Sequence, residues 1–110
     1  MLFIEYPKCS TCQKAKKWLT ENGYSPECRN IKENPPTYEE LSKWYNLSGL
    51  PLKKLFNTSG NLYKSMNLKE KLPAMSEEEQ LRLLSSDGML VKRPVIIDGQ
   101  KVLFGFKGSV

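Results

Sequence analysis

The chain has 110 residues, 39% of them hydrophobic and 26% charged, with a formal net charge of +5 and no histidine. That size suits one globular domain with a modest core and no disulfide staples, and no apolar run approaches the roughly 20 residues of a membrane span. Without histidine the chain lacks the usual general base and the commonest metal ligand.

Three cysteines are an odd count for a secreted disulfide framework. The N-terminus, "MLFIEYPKC", enters a strand-like run with no secretory pattern, so a cytoplasmic location is expected. There a close cysteine pair is more often catalytic or metal-binding than structural. The positive charge permits contact with nucleic acid or an acidic partner. Its densest knot is Lys14, Lys16 and Lys17. No aromatic-basic RNA motif or zinc-finger spacing accompanies it, so direct nucleic-acid binding is not expected.

"LFIEY" reads as a short buried strand, Leu2 to Tyr6, stopped by Pro7. A helix is predicted from Ser10 to Asn22, closed by a left-handed Gly23. Its apolar stripe is Ala15, Trp18 and Leu19. Cys12 falls on that stripe, and Cys9 falls at the cap position. "PECRNI" reads as a second strand. Thr37 and Glu40 then have capping-box spacing, and Leu41, Trp44 and Tyr45 supply an apolar face. The pattern breaks at Gly49 and restarts near Pro51. "NTSGNLYKSMNLKEKL" mixes turns with short helical pieces. Ser76 and Glu79 form a second capping box, opening a helix that "SDGML" closes. Two β-rich runs, Val95 to Ile97 and Lys101 to Phe104, flank Asp98-Gly99, the favoured type I′ hairpin pair. The order implies a parallel first βαβ unit and an antiparallel final hairpin. The expectation is one domain over residues 1–110, an α/β fold with a mixed sheet. Residues 32–90 are expected to form a helical subdomain inserted on it.

Cys9-Ser-Thr-Cys12, after a strand and at a helix start, is the setting of a redox Cys-x-x-Cys motif. The free N–H groups of a first helical turn and the helix dipole favour a thiolate at the cap. Lys8 and Lys14 add positive charge. Cys9 would attack and Cys12 would resolve the mixed disulfide. A zinc site would need about four ligands, and only Cys28 is left to supply one. A third reading is that both cysteines are small buried residues. A phosphatase loop needs an arginine six residues after the cysteine, where Ala15 stands. Cys28, on a strand, reads as structural. "KRPVII" places Pro94 where a thioredoxin-like fold has a cis-proline beside the Cys-x-x-Cys helix. Arg93 is then either a solvated edge charge or a guanidinium over the thiolate.

On "YPKCSTCQKAKKWL", "NIKENPPTYEEL", "LPLKKLFNTSG" and "MLVKRPVIIDG" the chain resembles the arsenate reductase–Spx family, over nearly its whole length. The resemblance implies a thioredoxin-like four-stranded mixed sheet with a helical insertion and no cofactor. It also implies Cys9, Cys12 and Arg93 as catalytic residues, with Lys8, Ser10, Thr11, Asn57 and Pro94 around the substrate. One branch reduces arsenate through a single cysteine, matching Cys9, with glutathione and glutaredoxin as reductants. Those enzymes hold the oxyanion with three arginines. Here Arg93 matches one, Asn57 stands at the second, and the third falls near Lys101. Glu5 and Tyr6 also replace the His and Asn of those enzymes. An anion site missing two bidentate donors should hold arsenate poorly. The other branch, the Spx regulators, uses a Cys-x-x-Cys disulfide switch and binds the C-terminal domain of the RNA polymerase α subunit. A glycine in that contact surface matches Gly49, although a helix C-terminus favours glycine in any case. The readings left open are a thiol-disulfide redox protein served by glutathione, glutaredoxin or thioredoxin, a regulator, and an arsenate reductase.

Overall fold

The computed structural model describes residues 1–110. Strand β1 (Leu2–Glu5) leads into helix α1 (Ser10–Glu21) and strand β2 (Glu27–Asn30). Helices α2 (Tyr38–Ser48), α3 (Asn61–Ser65), α4 (Leu68–Lys71) and α5 (Glu77–Ser86) follow, joined by short 3₁₀ turns. Strands β3 (Val95–Asp98) and β4 (Lys101–Phe104) close the chain. The strand order is β2-β1-β3-β4, with β1 parallel to β2 and the other pairs antiparallel. This is the mixed sheet that the order of elements implied.

Alternation along the strands divides the core. Phe3 and Ile96 face α1 and pack with its Ala15 and Leu19. Ile4, Val95 and Val102 face the helical insertion, whose Leu41, Trp44, Leu55, Phe56 and Leu84 cover them. Both faces of β1 are therefore covered, which is why it reads as a continuous apolar run. Each fully buried Leu, Ile or Phe contributes about 1.5–3 kcal/mol.

Local signals set the helix ends. Both capping boxes form: Thr37 accepts from the Glu40 N–H, and Ser76 accepts from the Glu79 N–H. Helix α1 ends at Glu21 with Asn22 as its C-cap, one residue short of the expected end, and Gly23 beyond it is left-handed with φ +84°. The Tyr24 N–H donates to the Leu19 carbonyl and the Gly23 N–H to that of Thr20. That pair of bonds is a Schellman closure.

Two further readings need correction. Strand β1 stops at Glu5 rather than Tyr6. At the hairpin, Asp98 still pairs with Lys101, so the loop residues are Gly99 and Gln100. Gly99 has φ +61° and Gln100 is not left-handed, so the turn is of the II′ kind with glycine first, not I′.

The insertion is tied back to the sheet just before β3. Phe56 and Val91 form an isolated bridge. The Asn57 N–H donates to the Leu90 carbonyl, and the Lys92 N–H donates to that of Leu55, both at 2.7 Å. These bonds carry Asn57 to the neighbourhood of Arg93.

Candidate active site

Cys9 sits half-buried at the N-cap of α1, in extended backbone with φ −89° and ψ 120°. The turn that delivers it is closed by a Cys9 N–H to Tyr6 carbonyl bond of 2.9 Å. A cap side chain faces the N–H groups of the first turn; the Cys9 sulfur makes no cap hydrogen bond here, but the Cys12 N–H is near enough to favour its thiolate. Burial raises the Cys9 pKa. The Cys12 N–H and thiol, then the Arg93 guanidinium, outweigh it and leave the thiol more acidic than usual. Cys12 is fully buried on the stripe with Ala15 and Leu19. Burial pushes its pKa up to about 12, the neighbouring Cys9 adds to the rise, and the Tyr6 backbone and Arg93 oppose it. Two thiols three residues apart are thus shifted in opposite directions.

Arg93 precedes Pro94 through a cis peptide bond, as the sequence reading expected. Its guanidinium lies over the Tyr6 ring, 5.2 Å from the centroid. Its Nε and Nη1 atoms are buried without a hydrogen-bond partner. Arg93 and Cys9 share a cavity of about 350 Å³ with Thr11, Asn57, Ser59, Gly60, Lys92, Phe104, Gly105, Phe106 and Lys107. Three cations line it, and no carboxylate does. A second cavity of about 410 Å³ adjoins it through Asn57, Ser59, Gly60 and Arg93.

The structure thus brings Cys9, Thr11, Asn57 and Arg93 to one cavity, with Cys12 beneath. Lys8 and Ser10 are exposed and do not line it, and Pro94 is buried behind Arg93. Lys101, near which the third arginine was expected to fall, is exposed at the hairpin and does not line the cavity, whereas Lys107 does. Lys92, Lys107 and the Phe104–Phe106 wall were missed. Their one sequence signal is a glycine-bearing tail after β4. Gly105 is left-handed with φ +89°, and its N–H donates to the Pro94 carbonyl at 2.8 Å, turning the tail across the cavity. Cys28 is exposed on an edge strand. Its burial in part and the Glu5 carboxylate raise its pKa, with Lys16 opposing, so it is a poor nucleophile. Gly49 is exposed at the end of α2, where φ +67° by itself favours glycine.

Comparison with known proteins agrees with this architecture. The model of the ArsC family matches residues 4–109. The chain is 60% identical over 107 residues to the uncharacterized protein YusI of Bacillus subtilis, covering 97% of this chain and 91% of that one. It is 30% identical to the global transcriptional regulator Spx of Streptococcus pneumoniae, covering 96% of this chain and 77% of the regulator. The crystal structure of a possible arsenate reductase from Streptococcus mutans superposes with a TM-score of 0.91 at 44% identity, covering 98% of this chain and 92% of that one. With a four-stranded mixed sheet of thioredoxin-like form and a family match from strand β1 to the tail, this chain belongs to the ArsC family.

Proposed function

We propose that the protein carries out thiol–disulfide exchange with Cys9 as the attacking thiol and Cys12 as the resolving thiol. The placement of the pair carries this reading: Cys9 caps α1 in the cavity that Arg93 lines, and Cys12 is buried three residues on, with the two acidities shifted in opposite directions. The Cys9 thiolate attacks one sulfur of a substrate disulfide, forming a mixed disulfide and releasing the first thiolate. Cys12 passes its proton to a departing thiolate and attacks the Cys9 sulfur. The Cys9–Cys12 disulfide forms as the second thiol leaves. Two electrons pass from the pair to the substrate, and a cytoplasmic thiol reductant (glutathione, glutaredoxin or thioredoxin) returns them. Arg93 stabilises the Cys9 thiolate, and Lys92 and Lys107 favour a substrate that carries negative charge near its sulfur. The test is turnover of a small disulfide by the purified protein with each reductant, lost in Cys9→Ser and stalled as a mixed disulfide in Cys12→Ser.

A second reading is favoured by the similarity to a transcriptional regulator over 96% of this chain. The same disulfide would then act as a switch, with the exposed Gly49 at a contact with the RNA polymerase α C-terminal domain. Nothing stands within 4 Å of a Cβ built at Gly49, so a bulky residue there would alter only the surface contour and the left-handed turn. Co-precipitation with that domain, for oxidised and reduced protein, separates this reading from the enzymatic one.

A further inference from the structure

Glu5 is the one charged side chain among the 25 buried residues. A buried carboxylate is costly unless paired; the two side chains bonded to Glu5 come from α1, and the Cys28 thiol of β2 also faces it. Lys16 Nζ lies 2.7 Å from Oε2, and Gln13 Nε2 lies 3.4 Å from Oε1. The same Gln13 amide donates to the Pro7 carbonyl at 3.0 Å. An amide NH₂ has two donor hydrogens, so both contacts can be made at once. Pro7 offers only an acceptor, which fixes the amide's orientation. Gln13 thus joins three points: the end of β1, the loop that delivers Cys9, and the first turn of α1.

We propose that Gln13 is a positioning residue, its amide fastening the Pro7 carbonyl and the Glu5 carboxylate to α1 so that the Cys9 sulfur stays at the helix cap. The inference rests on the reading of Cys9 as the attacking thiol. The loop between Tyr6 and Cys9 has the Cys9 to Tyr6 bond of its own, and the Gln13 amide is its side-chain tie to the helix. A cap side chain must face the first-turn N–H groups closely to profit from them. Release of Pro7 would let Cys9 drift from the Cys12 N–H and from Arg93. The groups that bear on Cys9 are Cys12 on α1 and Arg93 before β3, with Lys92 and Lys107 along the cavity. The substitution below alters none of them.

The test uses Gln13→Met, which keeps the length of the side chain and removes its donor. Gln13 is exposed, so the variant should fold. The alkylation rate of Cys9 is followed against pH, by peptide mass, in the full chain carrying Cys28→Ser. The Cys9 pKa should rise, and alkylation near neutral pH should slow by about threefold or more as the thiolate fraction falls. An acidic Cys9 that is unchanged in the variant overturns the inference alone, even if Tm falls, because a purely structural tie would lower Tm and leave the pKa in place. A wild-type Cys9 that titrates at the ordinary thiol value overturns the redox reading and this inference with it.

Discussion

The Arg93 guanidinium lies beside the Cys9 thiol and has no carboxylate partner, so its charge is free to act on the sulfur. The two residues are 84 positions apart in sequence. They meet because β3 pairs with β1, so Arg93, just before β3, lies near the end of β1 where Cys9 follows. Arg93→Ala should therefore raise the Cys9 pKa, with each unit equivalent to about 1.4 kcal/mol. Alkylation of Cys9 against pH in wild type and variant measures the shift. An unchanged pKa would remove Arg93 from the site.

Cys12 gives a stability signature with the opposite sign to Cys9. Its folded pKa is raised to about 12, whereas an unfolded thiol ionises near 8.5. Between those values the unfolded chain loses the proton and the folded chain keeps it, so the Cys12 contribution to stability falls as pH rises. The lowered Cys9 pKa works the other way, losing its contribution as pH falls through the folded value. Urea unfolding of wild type and Cys12→Ala from pH 8 upward should show the wild type declining more steeply.

Arg29 and Glu40 join β2 to the cap of α2 through a bidentate pair, at 2.8 and 2.9 Å. Arg29 also donates to the Asn34 and Pro35 carbonyls. Arg29 holds the Glu40 carboxyl below its usual range against partial burial, with the Thr37 N–H assisting. Arg29→Met should cost about 1.5 kcal/mol at neutral pH, since bonds to charged groups are worth ~1.5–3 kcal/mol and solvent partly screens this half-buried pair. The depressed carboxylate contributes fully above the unfolded Glu pKa, and its contribution disappears as pH falls towards the folded value. Denaturation at pH 7 and pH 3 should show the penalty shrinking in acid.

Arsenate should be reduced weakly or not at all, even with glutathione and glutaredoxin. Asn57 lines the cavity at the position where the family resemblance implies an arginine, and a neutral amide cannot replace a bidentate cation. Asn57→Arg should raise oxyanion affinity by about tenfold, the equivalent of ~1.4 kcal/mol. Competition by arsenate against Cys9 alkylation reads this directly. Protection of the wild type at micromolar arsenate would contradict it.

What could be read from the sequence was largely local. Thr37 with Glu40, Ser76 with Glu79, and Gly23 after Asn22 are spacings within one turn, and the folded chain uses each of them. The buried position of Cys12 followed from its offset of three from Ala15. Lys107 was hidden because its role depends on a tail turned by Gly105, beyond any periodic element. The exposure of Cys28 was not legible, because alternation on an edge strand cannot tell a covered face from an open one. The hairpin slipped by one residue because Asp98 pairs with Lys101 and leaves Gly99 first in the turn. Nothing in the sequence marked Glu5 as buried, because the approach of Lys16 and Gln13 from α1 that makes its burial tolerable is a tertiary contact.

The most direct measurement is the fate of the thiols after one equivalent of a small disulfide is added to reduced Cys28→Ser protein. A transient adduct on Cys9 is expected, then a Cys9–Cys12 disulfide with a mass loss of two hydrogens and release of both substrate thiols. Cys12→Ser should stop at the Cys9 adduct, and Cys9→Ser should not react on the same timescale. An adduct that forms first on Cys12, or a stable Cys9 adduct in the presence of Cys12, would contradict the assignment of attacking and resolving thiols.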